Sequence, residues 1–333
     1  MDSEKYKIAT IQATPVFMNR EATVDKACRL IKEAADNGAK LALLPEAFIP
    51  GYPDWIWMVP AGKMALNQSL YGKLLQESVT IPSEATDKLC ATAKANKIFV
   101  VVGVNERNTA SSGGSIFNTL LYIDDEGNIL GHHQKLVPTL SERTIWAYGD
   151  PGTLKVYDTR LGVIGGLICW ENYMPLARYS LYSQGISLYN APTYDESETW
   201  QGSMKHIARE GRTYVMGCCM AYKKEDILSA LPELEPYYED VEDWVNTGNS
   251  VIVDPDGTVV AGPLLKEEGI LYAEVNRKKV LDTKWNLDVA GHYARPDVFK
   301  LTVQRSSNPV ISWDEEPIEE KIETVLGGNE LKE

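Results

Sequence analysis

The chain has 333 residues, 44% of them apolar, five cysteines and a formal charge of −14. The length allows a large core, and the acidic balance speaks against nucleic acid or an anionic membrane as partner. Cys28, Cys90, Cys169, Cys218 and Cys219 are odd in number and form no CxxC pair or Cys/His cluster, which argues against a disulfide framework or a metal site and fits a cytoplasmic setting.

No signal-like apolar region precedes the first predicted strand, and no apolar run reaches membrane-spanning length. Residues 6–12 alternate and predict that strand. Residues 22–35 carry apolar side chains at 24, 27, 28, 31, 34 and 35, a helix with one core-facing stripe, closed by Asn37-Gly38. Residues 40–44 predict a second strand, and Pro45-Glu46 follow at once. Residues 47–60 hold three prolines and four aromatic residues, too apolar for a solvated loop, and are expected to wall a pocket beside Glu46. Helices are predicted near 61–77 and 84–96 and a buried strand over 98–104. Residues 115–123 and 128–133 predict a hairpin about Asp124-Asp125-Glu126-Gly127.

Lys135 comes just after that hairpin. Residues 136–151 read as a loop carrying Glu142, Arg143 and Trp146. Residues 163–168 predict a central strand ending on Cys169, with Pro175 opening a helix to about residue 183. A strand over 185–190, a helix over 198–211 with His206, Arg209 and Glu210, and a strand over 213–220 follow. In that last strand, adjacent Cys218 and Cys219 must face opposite sides. Residues 223–247 read as a polar surface excursion. Residues 250–253 and 258–261 predict a second hairpin about Asp254-Pro255-Asp256-Gly257, followed by a strand over 269–275 and a helix over 276–284. No repeat or linker divides the chain. One domain over 5–302 is expected, with an acidic tail over 303–333 that is partly extended or held at a subunit interface. The strand–helix alternation with hairpins predicts an α/β fold with mixed sheets.

Cys169 alone is ambiguous between a core thiol and a nucleophile. Glu46, Lys135 and Cys169 each follow an apolar strand, however, and each is trailed by an aromatic-rich loop. At one sheet edge they would form a single constellation. Glu46 would take the thiol proton, and Lys135 would stabilise anionic stages while compensating the buried Glu46. The alternative is a Cys–His dyad using His132, His133, His206 or His292. His206 and Arg209 read as structural groups on a buried helix face.

Leu44-Pro45-Glu46, Lys135 in H-H-Q-K-L-V-P-T, and Cys169 in C-W-E-N resemble the Glu–Lys–Cys triad of the nitrilase superfamily. S-E-R-T-I-W-A-Y-G-D, N-A-P-T, H-I-A-R-E-G and D-V-A-G-H-Y-A-R-P-D-V (288–298) are similar to its nitrilase branch. The resemblance covers roughly residues 5–302. It implies a four-layer α-β-β-α sandwich of two mixed sheets with outer helices, a homodimer or larger spiral assembly, no cofactor, and Glu142 as a second glutamate in the site. It implies hydrolysis of an organic nitrile with water through a cysteine thioimidate and an acyl thioester, the alternative being an amidase, a nitrile hydratase or a cyanide-degrading enzyme. A scaffold without activity is disfavoured by the intact triad. Tyr52, Trp55, Trp146, Trp170, Tyr173, Thr193 and Tyr194 are the candidate walls for a nitrile with an aryl or arylalkyl group.

Overall fold

The computed structural model describes residues 5–306, so most of the acidic tail lies outside the described residues. The first half runs β1 (Lys5–Gln12), α1 (Arg20–Asp36), β2 (Ala39–Leu43), α2 (Trp55–Met58), α3 (Met64–Glu77), α4 (Glu84–Asn96), β3 (Phe99–Arg107), β4 (Ile116–Ile123) and β5 (Ile129–Gln134). The second runs β6 (Tyr157–Thr159), β7 (Gly162–Gly166), α5 (Pro175–Tyr182), β8 (Leu188–Thr193), α6 (Glu198–Gly211), β9 (Tyr214–Cys219), β10 (Ala221–Lys223), α7 (Lys224–Ala230), β11 (Trp244–Val253) and β12 (Val259–Leu265). β13 (Gly269–Asn276) and α8 (Arg277–Thr283) follow.

These strands build two mixed sheets. The first has the order β13-β1-β2-β3-β4-β5, the second β10-β11-β9-β8-β7-β6 with β12 paired to β11. Each is parallel at its centre, β1-β2-β3 in one and β7-β8-β9 in the other, and antiparallel at its flanks. Both faces of the central strands are buried, which is why they read as unbroken apolar runs. In β3, Phe99 and Val101 face the second sheet, packing with Ile164, Ile168, Leu188 and Met216. Val100, Val102 and Val104 face outwards and meet Val24, Ala27 and Ile31 of α1 and Leu89 and Ala93 of α4. On the far side, Leu181 of α5 and Trp200, Met204 and Ile207 of α6 cover Tyr189, Val215 and Val251. The result is the four-layer α-β-β-α sandwich, with the inter-sheet cluster at its centre.

Three expectations need correction. The strand predicted over 185–190 begins at Leu188 instead, because residues 183–185 finish the turn after α5, with Gly185 at φ +80°. Residues 223–247 are no surface excursion: Ile227, Leu231, Leu234 and Tyr238 are buried in the core, and Trp244 already belongs to β11. Their acidic residues fall between these apolar anchors, and the spacing hides them. His206 and Arg209 lie on the exposed face of α6, with His206 Nε2 3.6 Å from Glu210.

Candidate active site

β2 and β5 run in the same direction, since β3 is parallel to β2 and the β3–β4–β5 steps are antiparallel. Glu46 and Lys135 therefore emerge at the same end of the first sheet. Beyond β2 the chain stays on β3: Leu44 N donates to Val101 O and Ile49 N to Gly103 O. Glu46 crosses β3 where there is no room for a side chain. A Cβ on Gly103 would lie 2.1 Å from Pro45 O and 2.8 Å from Glu46 Cα. The left-handed Ala47 (φ +49°) turns the chain back. Lys135 N donates to Asn118 O of β4, which fixes the lysine at the strand end.

Cys169 comes from the second sheet. The β7 ladder ends at Gly166, and Cys169 opens a short 3-10 turn at φ +52°, a costly conformation for a non-glycine residue. Glu171 stabilises this turn. Its carboxylate accepts from Ile168 N (2.8 Å), Leu136 N (2.6 Å) and His133 Nε2 (3.1 Å), tying the cysteine turn to the lysine loop. His133 is thus committed to Glu171.

The side chains converge in a fully buried cluster. Lys135 Nζ donates to Glu46 Oε1 (2.9 Å) and Glu142 Oε2 (2.7 Å). Asn118 Nδ2 also donates to Glu46 Oε1 (2.7 Å), whereas Glu46 Oε2 has no hydrogen-bond partner. Glu142 is saturated, accepting further from Thr139 N (2.6 Å) and Tyr52 Oη (2.8 Å). One ligand atom each of Glu46, Glu142 and Cys169 lie within 4.8 Å of one another, and the Thr193 hydroxyl donates to Cys169 Sγ at 3.2 Å. These three donors have the composition of a cation site, but the Lys135 ammonium already bridges the two carboxylates.

Burial, outweighing the pull of Lys135, lifts the Glu46 carboxyl above its ordinary value. Burial would lower Lys135, but Glu46, Cys169 and Glu142 more than reverse this, so it stays an ammonium. Burial and then the Glu46 charge push the Cys169 thiol well up, against Lys135 and Thr193. The resting thiol is therefore neutral, beside a Glu46 carboxyl group with a free oxygen. Such a thiol loses its proton as it attacks.

Comparison with known proteins bears on this geometry. The profile of the Carbon-nitrogen hydrolase family matches residues 7–284. The chain belongs to the carbon-nitrogen hydrolase family. It is 39% identical over 316 residues to a bifunctional nitrilase/nitrile hydratase of Nicotiana tabacum, covering 92% of this chain and 88% of the relative. It is 38% identical over 314 residues to an aliphatic nitrilase of Sinorhizobium fredii, covering 92% and 98%. It is 40% identical over 309 residues to nitrilase 2 of Arabidopsis thaliana, covering 91% and 90%. Among solved structures it resembles Saccharomyces cerevisiae Nit3 of the nitrilase superfamily, with TM-score 0.67, 21% identity and 87% and 97% coverage. It also resembles the Caenorhabditis elegans NitFhit protein, with TM-score 0.70, 20% identity and 93% and 70% coverage. At such identities these structures bear on the fold.

Within this family fold, a cavity of about 560 Å³ opens over Cys169 and Glu142. Of the seven candidate wall residues, Tyr52, Trp170 and Tyr194 line it. Trp55 does not: it is buried in the core, while Trp57, roughly 200° round the turn at 100° per residue, lines the cavity and donates to Tyr52 Oη (3.3 Å). Trp146 lies behind the wall, 5.7 Å from Lys135 Nζ and edge-on to Tyr52. Tyr173 sits outside, 41% exposed and edge-on to Trp170. Thr193 addresses Cys169 Sγ. The other lining groups are Thr139, Leu140, Asp195, Glu196, Ser197, Val245 and Asn246.

Besides Trp57 and Glu171, two asparagines of the site escaped sequence reasoning. Asn105 and Asn118 face each other across β3 and β4. Asn105 Nδ2 holds Gly51 O (3.0 Å) and its Oδ1 accepts from Trp146 Nε1 (2.8 Å), while Asn118 holds Glu46. The available signal was Asn118 inside the apolar run of β4, a polar side chain that burial permits only with a partner; Asn105, just past its run, carried no such mark.

Proposed function

We propose that this protein hydrolyses an organic nitrile to the carboxylic acid and ammonia, with Cys169 as nucleophile. The observation carrying the reading is the buried Glu46–Lys135–Glu142 cluster against Cys169 Sγ. Relatives named as nitrilases, matched over nearly their whole length, support it. Glu46 takes the thiol proton as sulfur attacks the nitrile carbon, and the nitrogen gains that proton to give a thioimidate. Water, deprotonated by Glu46, adds to the thioimidate carbon. The tetrahedral intermediate expels ammonia and leaves an acyl thioester, and a second water releases the acid and the thiol. Lys135 and the backbone N–H of Trp170 stabilise the charged stages, and Glu142 orients Lys135. The aromatic wall of Tyr52, Trp57, Trp170 and Tyr194 suits an aryl or arylalkyl group.

Incubation with phenylacetonitrile and with a dinitrile, assaying ammonia against amide, tests this. Ammonia with stoichiometric acid is expected, and amide alone refutes it. Cys169→Ala is expected to fold and to lose turnover; measurable turnover in that variant overturns the assignment.

One catalytic domain over 5–302 with an acidic tail over 303–333 completes the proposal, as do a cytoplasmic setting and a homodimer or larger spiral assembly. The free cysteines and the exposed Leu281, Trp285 and Phe299 support these readings, and light scattering measures the assembly. Among the described residues no helix is long and apolar enough to cross a membrane.

A further inference from the structure

Asp54 follows Glu46 in the aromatic loop and is 1% exposed. It stands at the N-cap position of α2, yet its side chain makes no cap hydrogen bond. Its carboxylate instead takes three phenols. Tyr194 Oη (2.5 Å) and Tyr222 Oη (3.1 Å) donate to Oδ1, and Tyr238 Oη (2.6 Å) donates to Oδ2. Among the described residues no Lys or Arg pairs with it, so the charge is buried on hydroxyl donors alone. A buried carboxylate held this way is costly.

The three tyrosines come from the segments that make the cavity wall. Asp54 lies between the wall residues Tyr52 and Trp57. Tyr194 is itself in the wall and begins the lining run 194–197. Tyr222 of β10 is paired in register with Asn246 of β11, which lines the cavity beside Val245, and Tyr238 lies in the turn before them. Tyr194 also stacks on Tyr52, with centroids 4.1 Å apart and planes at 21°, and Tyr52 in turn donates to Glu142. One carboxylate thus fastens the Tyr52–Trp57 loop and the Tyr194 segment, which lies beyond the end of β8, to the β10–β11 edge of the second sheet.

We propose that Asp54 is a positioning residue that sets the width of the substrate wall by clamping Tyr194 against Tyr52, and so selects for bulky flat nitriles over small aliphatic ones. This rests on the nitrile-hydrolase reading. Asp54 touches neither the substrate nor the reacting atoms. Released from it, the Tyr194 ring is free to tilt off Tyr52, and a flat substrate loses its facing surface while a small one loses little. An amide replaces the carboxylate poorly: Asp54→Asn keeps one acceptor oxygen where two served three hydroxyls, so at least one hydroxyl must turn round to accept from the N–H₂, and the charge that strengthens all three bonds is gone.

The test is kinetic. Ammonia release from phenylacetonitrile and propionitrile is measured for the wild type, Asp54→Asn, Tyr194→Phe, Tyr238→Phe and the Asp54→Asn/Tyr194→Phe double variant. Wild-type release of ammonia from either nitrile establishes the underlying reading, and silence on both sinks that reading instead. Asp54→Asn is expected to lower the ratio of kcat/KM for phenylacetonitrile to that for propionitrile by roughly tenfold, through KM for the aryl substrate. Tyr194→Phe and Tyr238→Phe shift the ratio the same way, and the double variant is no worse than the more damaged single one, since both changes break one clamp. Equal losses on both nitriles, losses confined to kcat, or additive losses in the double variant overturn the proposal. Should Asp54→Asn fail to fold, Tyr194→Phe decides, and an unchanged ratio there overturns it.

Discussion

Replacing Lys135 by methionine keeps most of the length of the side chain and removes the charge between two buried carboxylates. The lysine side chain is fully buried, and its ammonium lies 2.9 Å from Glu46 Oε1 and 2.7 Å from Glu142 Oε2. Breaking a buried pair by removing one partner costs about 3–5 kcal/mol, since the remaining charge stays buried without compensation. Here two carboxylates are stranded, although Asn118 still serves Glu46, and Thr139 and Tyr52 still serve Glu142. The expected loss in urea unfolding near pH 8 is about 4 kcal/mol, with a fall in melting temperature on the order of 10 °C. The pH dependence separates this cause from lost packing. Burial already holds the Glu46 carboxyl above its ordinary value, with Lys135 pulling the other way. Removing Lys135 raises it further. A folded-state pKa above the unfolded one means that the folded chain binds the proton more tightly. The variant's deficit is then largest above the folded pKa and shrinks as pH falls towards the ordinary carboxylate range. Unfolding free energies of both proteins at pH 8, 7 and 6 measure this difference. A deficit below about 1 kcal/mol at pH 8, or one that grows on acidification, refutes the reasoning. Ammonia release should fall by roughly 10²–10³-fold at every pH, since anionic stages lose their cation.

Two further outcomes follow from the same geometry. Because burial and the Glu46 charge raise the Cys169 thiol, the thiolate absorbance near 240 nm, taken as wild type minus Cys169→Ala, should show no step between pH 6 and 9. A step near neutrality would mean a preformed thiolate and a different proton path. Gly103→Ala sets a methyl 2.1 Å from Pro45 O and 2.6 Å from Ala47 N, backbone atoms that cannot yield locally. It should cost about 2 kcal/mol or more and displace Glu46. A Gly103→Ala protein with wild-type melting and turnover would mean that the Glu46 segment is not held against β3.

The layers and the proposed reacting groups were legible in the chain because each depends on short-range pattern. Apolar runs buried on both faces announced β3 and β7, and the helical stripe of α1 gave its inner face, whereas the faces of α6 were misread at His206 and Arg209. Charged or thiol side chains just past such runs marked Glu46, Lys135 and Cys169. Pattern cannot say which of two nearby aromatics turns inward. Trp55 and Trp57 have the same chemistry, and only the set of the short helix α2 against the core sends one to the cavity and the other away from it.

The partners of the charged groups were beyond local reading for a related reason. Asn118 serves Glu46 across 72 positions of chain, and Tyr238 serves Asp54 across 184. Nothing local marks such pairs, since each is closed by sheet register and by the packing of one layer on another. The residues able to do the chemistry were written in the order of strands and turns. Their protonation, the saturation of Glu142, the open oxygen of Glu46 and the clamp on Asp54 arise only when the two sheets meet, because burial sets the cost of each charge and tertiary contact supplies what offsets it.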